Sequence, residues 1–417
     1  MNRRNQIATY VPKGSLEAAG ERGVVPRGTD ARQPTTEELA ELMRALQILE
    51  EAQGRPGVMA TAPDPLVANL QTFMATVMAP TEHRLQESLN KTLEAKFDSH
   101  DILGWAGSFF TWWKKLDPFD WAVPGAPTAV PDRMRIALLG DWGTGLYGAP
   151  SCAESIAKDG QYDMVLHLGD VYYSGTDSEV DDRFIALWPK VSKALNRALN
   201  GNHEMYTGGR AYFKAISSLF GQTSSYFALE NNHWILACLD TAYKDHDLYG
   251  GQAAWVAELA ARSPDKKLLL FSHHQPFSLL DKQGPELIKK LSTLFESKRI
   301  YGWYWGHEHH CILYKPHALF GLRGRCVGHG GFPYFREMKV LGSDAPKTPE
   351  WKTLQSKNLV PSARILDGEN SYIDDNPSDY GPNGYVTLEF DREELFEIVH
   401  MPDGTQLWNQ PIERLDP

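Results

Sequence analysis

Five short stretches of this chain end in side chains that can hold metal ions. Residues 136–139 run into Gly140, Asp141, Trp142 and Gly143, and residues 164–168 into Gly169, Asp170, Val171, Tyr172 and Tyr173. The segment ending at Leu199 leads to Gly201, Asn202, His203 and Glu204. Residues 268–271 precede Ser272, His273, His274, Gln275 and Pro276, and residues 300–305 precede Gly306, His307, Glu308, His309 and His310. Carboxylate, phenol and imidazole groups are oxygen and nitrogen donors, which suit iron, zinc or manganese better than calcium. A carboxylate shared between two such ions sets them about 3.5–4 Å apart, the spacing of two-metal phosphoryl-transfer sites. Each stretch alone says little, since glycine before aspartate is common in turns. The five together, all at the ends of apolar runs, carry the inference.

The runs must be strands for this to work. Ligand sites in open α/β sheets lie outside the carboxyl ends of the strands, so five strands ending this way would bring their donors to one place. A glycine ahead of Asp141, Asp170, Asn202 and His307 is expected to let the backbone turn sharply there. Residues 136–139, 164–168, 234–239, 268–271 and 300–305 alternate with helical segments, which predicts an α/β fold in layers. Residues 385–390 and 395–399 read as two further strands, and the polar stretch 342–384 as a surface insertion or lid.

The first third of the chain has another pattern. Residues 1–34 are polar and aperiodic, as in a mobile tail. Thr35 and Glu38 form a capping-box pattern before Leu39, Leu42, Met43, Leu46 and Leu49, and Asp64 with Pro65 opens a second helix, stopped by Pro80. A third helix carries Leu85, Leu89, Leu93 and Phe97. An aromatic stretch follows, with Trp105, Phe109, Phe110, Trp112, Trp113, Phe119 and Trp121, suited to docking on the protein body or meeting a partner or membrane surface through residues 35–121. A Pro- and Gly-containing run closes the region, so the domains read as 1–34, a helical region with linker at 35–130, and a catalytic domain at 131–417.

Composition narrows the function class. With 42 basic and 53 acidic residues the formal net charge is −11, which argues against gripping nucleic acid over a broad surface. The four cysteines form no C-x-x-C pair and read as free thiols. Neither an apolar leader nor a run of about 18 apolar residues is visible, so the expectation is a cytoplasmic protein without a membrane span.

The five stretches, in this order, resemble the motifs of the calcineurin-like metallophosphoesterase superfamily. Within it they resemble the purple acid phosphatases, because Asp141 is followed by Trp142 and Gly143 rather than by an Asp-x-His pattern, and a tyrosine stands three residues after Asp170. The resemblance implies a four-layer αββα sandwich and a dinuclear site in which Asp141, Tyr173 and His309 hold Fe(III). Asn202, His274 and His307 would then hold Fe(II), Zn(II) or Mn(II), with Asp170 bridging. His274 is preferred to His273 because the family ligand stands two residues before a proline, here Pro276. His203 would be the general acid, and a metal-bound hydroxide would attack a small phosphate monoester. A phosphodiesterase of cyclic nucleotides, nucleotides or phospholipid headgroups is the alternative, and a scaffold working through residues 35–121 is the second. Roles for His310 and His329 stay open.

Overall fold

The computed structural model describes Ala68 and residues 123–415, except 144, 245, 282, 283 and 375. Apart from Ala68, the tail and helical region expected before residue 122 lie outside the described residues, as does the aromatic stretch 105–121. Fifteen strands are described: β1 (Thr128–Ala129), β2 (Arg133–Leu139), β3 (Met164–His167), β4 (Leu195–Ala198), β5 (Phe227–Glu230), β6 (Trp234–Cys238), β7 (Lys267–Ser272), β8 (Ile300–Trp305), β9 (Cys311–Tyr314), β10 (Arg323–Val327), β11 (Glu350–Leu354), β12 (Ala363–Asp367), β13 (Tyr385–Asp391), β14 (Glu394–His400) and β15 (Gln406–Pro411). They form a nine-stranded sheet in the order β1-β5-β6-β7-β8-β10-β9-β12-β11 and a six-stranded sheet in the order β15-β14-β13-β2-β3-β4.

Side-chain alternation explains why two sheets make four layers. On β2, Ile136 and Leu138 join a central cluster with Leu166, Leu236, Leu269, Phe271 and Tyr304, drawn from both sheets. Their neighbours Ala137 and Leu139 face the other way, onto the helices Gly148–Asp159 and Arg210–Phe220. On β7 the same division places Leu269 and Phe271 centrally and Leu268 and Leu270 against the helices Gln252–Arg262 and Pro285–Lys290. A strand buried on both faces must be apolar at every position, and that is why these segments read as unbroken apolar runs. This is the αββα sandwich that the motifs imply.

Parallel pairing sets the ends of the strands side by side. β2, β3 and β4 run parallel in one sheet, and β6, β7, β8 and β10 in the other. All five motif-bearing segments therefore finish on the same edge of the sandwich.

One expectation changes. Residues 342–384 are not simply a surface lid, because β11 and β12 lie within them and extend the nine-stranded sheet through β9. Their polar look has a structural cause: Arg336 and Lys352 both bond the buried Asp367, at 2.6 and 2.7 Å. The chain also joins the nine-stranded sheet slightly before residue 130, through the pairing of β1 with β5. All four cysteines are free and buried. Among the described residues no helix is long and apolar enough to cross a membrane.

Candidate metal centre

Asp141, just past β2, donates its backbone N–H to the Gly169 carbonyl at 2.9 Å, which ties the ends of β2 and β3 together. Its carboxylate accepts the His307 backbone N–H at 2.9 Å, so the turn after β8 is fixed against it. Four candidate ligands occupy the left-handed region: Asp141 at φ 57, Asp170 at 72, His307 at 67 and His309 at 55. Such backbones cost about 1–3 kcal/mol each and concentrate at functional sites. The glycines act differently from the sequence expectation. Among those ahead of the motif donors only Gly169 has positive φ, and Gly201 and Gly306 matter because a Cβ there would collide with the carboxylates of Asp170 and Asp141.

Asp170 is the centre of the constellation. One group of donors, Asp141, Asp170 and His309, has its ligand atoms within 4.8 Å of one another, and a second, Asp170, His273 and His307, meets the same limit. The two groups share Asp170. Asn202 joins the second group through Oδ1, which lies 3.1 Å from His273 Nε2, while its amide donates to Tyr206 Oη at 2.5 Å. His273 Nε2 also lies 3.3 Å from Asp170 Oδ2 and 3.3 Å from His307 Nδ1. Its other nitrogen, Nδ1, donates to the Leu168 carbonyl at 2.9 Å, the backing that fixes a metal-binding histidine's ring and tautomer.

The two adjacent histidines meet different neighbours: His273 groups with Asp170 and His307, and His274, which the sequence pattern pointed to, with His246 and His307. After β7 ends at Ser272, His273 turns toward Asn202 and Asp170, whereas His274 Nδ1 bonds the Thr241 carbonyl at 2.9 Å. The tyrosines divide in the same way. Tyr172 Oη donates to Asp170 Oδ2 at 3.0 Å and lies 2.6 Å from His309 Nε2. Tyr173 instead has the Arg183 guanidinium 5.4 Å from its ring centroid and contributes its backbone to the site, with N–H to Glu179 and C=O to His203. Spacing from Asp170 selected Tyr173; the side chain that meets the donors is Tyr172.

His203, buried, donates from Nδ1 to the Tyr173 carbonyl at 2.5 Å and packs edge-on against Tyr172 at 3.9 Å between centroids. A cavity of about 320 Å³ opens onto the donors and is lined by Asp170, Tyr172, Asn202, His203, His307 and His309, together with Leu280, Asp281, Glu308, His310 and Glu337. Among the described residues no lysine or arginine lines it. His329 is not among the lining residues; its carbonyl accepts from the Gly384 backbone and the Asn383 amide.

Sequence reasoning passed over Glu204. Its carboxylate accepts the backbone N–H groups of Asp170, Val171 and Gly201 at 3.2, 2.5 and 2.6 Å, clamping two of the five loops together. Burial and the nearby Asp170 charge push it up to about 8. A glutamate two residues after a donor asparagine, next to a glycine turn, is the signal that could have found it.

Charge favours cations here. Burial raises Asp141 well above the usual carboxylate range, with Asp170 adding to the effect. Burial opposes ionisation of Asp170 too, yet His273 and His203 outweigh it and hold this carboxyl well below its ordinary value. Burial alone would lower His273, but Asp170 and Asp141 lift it to about 10. A proton on His273 Nε2 and a metal ion are competing answers to one excess of negative charge. Burial keeps His307 and His309 neutral, His309 at about 3, so their lone pairs are available. Two carboxylates, an amide oxygen, three imidazoles and a phenol around a shared aspartate fit a pair of transition-metal ions.

Residues 134–311 match the family model described as calcineurin-like phosphoesterase. A search of curated proteins finds no match. Among solved structures, the purple acid phosphatase PPD1 from yellow lupin (Lupinus luteus) seeds is similar at 17% identity and TM-score 0.48, over 69% of this chain and 54% of that one. The chain therefore spans about half the length of the lupin enzyme. GAP50, the anchor in the inner membrane complex of Plasmodium, is similar at 10% identity and TM-score 0.49, over 68% of this chain and 90% of that one. PhoD is similar at 14% identity and TM-score 0.39, over 69% and 73%.

Proposed function

We propose that this chain, whose residues 134–311 match the calcineurin-like phosphoesterase model, is a phosphomonoesterase of the purple acid phosphatase kind. The observation that carries the reading is Asp170, shared by two groups of donors within 4.8 Å. In this reading Asp141, Asp170, Tyr172 and His309 hold one ion, and Asp170, Asn202, His273 and His307 hold the other. When bound, such a pair supplies Lewis acidity to phosphoryl oxygens and lowers the pKa of water.

The remaining chemistry belongs to the chain. His203 borders the cavity with Nδ1 committed to the Tyr173 carbonyl, so Nε2 is the nitrogen that would hand a proton to the leaving oxygen. Burial lowers its pKa below the ordinary imidazole value. The proton-donating form therefore exists mainly under acidic conditions, and activity should fall as pH rises through that lowered pKa. Glu204 and the Leu168 carbonyl hold the loops and His273 in place, so the donors need little reorganisation when substrate arrives.

Tyr172 bears on which metal is used. Burial and the charges of Asp170 and Asp141 raise its hydroxyl well above the usual phenol value. A strongly Lewis-acidic ion, ferric iron above all, is what would make it a phenolate; iron paired with iron, zinc or manganese follows. Asp281 and Glu337, which line the cavity, favour a neutral or cationic leaving group over a polyphosphate.

The test is the purified full chain assayed with p-nitrophenyl phosphate and bis(p-nitrophenyl) phosphate, with metal content measured in parallel. Two or more transition-metal ions per chain and faster monoester turnover, both lost in Asp170→Asn, are expected. Equal turnover by wild type and Asp170→Asn would end the reading, and faster diester turnover would replace monoesterase by diesterase.

A further inference from the structure

Beside the donors just assigned, three imidazoles meet on a side that the two-ion reading leaves unused. His246, His274 and His307 can each bring one nitrogen within 4.8 Å of the others. Ring centroids are 3.8 Å apart for His246 and His274, 4.6 Å for His274 and His307, and 5.0 Å for His246 and His307. His246 stands in the loop after β6, in a left-handed conformation at φ 55, between the bridge-paired Lys244 and Asp247. That loop carries none of the five motifs.

The ring nitrogens are already sorted. His274 Nδ1 donates to the Thr241 carbonyl at 2.9 Å, which fixes the tautomer and leaves Nε2 as the nitrogen with a lone pair. His307 directs Nδ1 toward His273 and the paired-ion site, so Nε2 is the nitrogen it has for any other ligand.

We propose that His246, His274 and His307 hold a third cation, a divalent ion of the zinc class, adjoining the pair. Three imidazoles, the donors that meet here among the described residues, suit zinc, copper or nickel better than magnesium, calcium or manganese. A three-histidine zinc site keeps a fourth position open, and an anionic oxygen of a phosphate ester or of released phosphate is the ligand class that would fill it. His307 would then bind through both nitrogens. To do so it gives up the Nε2 proton to solvent, and the proton balance is one released per third ion bound. The inference rests on the two-ion reading, because His307 serves both groups.

The experiment counts metal. The full chain and His246→Phe are loaded with zinc chloride, desalted and analysed by mass spectrometry. Phenylalanine keeps a ring face against His274 but supplies no nitrogen. Three ions per chain in wild type and two in His246→Phe are expected, with calorimetry in buffers of different ionisation enthalpy reporting one proton fewer released by the variant. Two ions in both proteins would overturn the third site and leave the pair standing. Fewer than two in wild type would bring down the two-ion reading and this inference with it. Should His246→Phe fail to fold, as judged by circular dichroism, His246→Ala is measured in its place under the same criteria.

Discussion

Two buried ionic clusters in this sandwich are balanced in opposite ways. Between the sheets, Arg325 on β10 bonds Glu397 on β14 at 2.7 and 2.9 Å. The remaining guanidinium nitrogens donate to the carbonyls of Tyr314, Gly324 and Ile412, and Tyr304 donates to Glu397. That cluster is complete: the positive and negative charges cancel within the chain. At the ends of β2 and β3, by contrast, Asp141 and Asp170 are equally buried and face imidazoles, an amide and a phenol, and among the described residues no lysine or arginine lines the cavity. The first arrangement holds two sheets together, and the second calls for cations from outside. Burial alone therefore does not mark a functional site; what marks it is charge that the chain does not itself neutralise.

Substitutions can break this contrast. The largest effect is expected from Asp170→Asn, which removes the carboxylate common to both donor groups: phosphatase activity should fall about 10³-fold or more, with loss of bound metal. Stability without metal should fall as well, since His273 and His203 hold Asp170 ionised and its loss leaves His273 without its main partner; a wild-type metal content would sink the assignment. Next is Arg325→Met, which strands Glu397 without a cation and should cost about 3–5 kcal/mol in denaturant unfolding while metal content stays as in wild type. The double change Arg325→Met with Glu397→Leu should recover much of that loss. An equally large loss in the double variant would mean that packing, not charge, matters there.

His203→Ala should lower kcat by about 10²-fold and flatten the alkaline limb of the pH profile, because burial lowers the His203 pKa and its protonated form disappears as pH rises. A profile unchanged in shape would remove His203 from proton transfer. The smallest effect on rate, though a plain one to the eye, concerns the tyrosines. Tyr172→Phe should abolish a visible phenolate-to-iron absorption band and Tyr173→Phe should keep it. The reverse result would restore the assignment that spacing alone suggests.

Much of the fold was legible because strands buried on both faces must be apolar throughout, and β2, β3, β6, β7 and β8 were read off for that reason. β11 and β12 were missed for the opposite reason: β11 is the edge strand and β12 its neighbour, and Trp351, Lys352 and Arg364 there are only partly buried. β15, a second edge strand, was missed in the same way. At the site, Asp141, Asp170, Asn202, His307 and His309 were placed together, and Glu204 was seen only as a neighbour.

The amino-acid sequence by itself determined the stock of donors and the strand ends that carry them, because residue type and two-residue periodicity are local properties. Only the tertiary structure turned His273 rather than His274 toward Asp170, set the Tyr172 hydroxyl beside Asp170 and His309, and brought His246 from a loop without a motif close to His274 and His307. Adjacent side chains past a strand end point in different directions, and which one turns inward depends on backbone angles that the neighbouring loops impose. At Asp170 and His307 those angles are left-handed, held by Glu204 and Asp141, whose partners are 33 to 166 residues away along the chain.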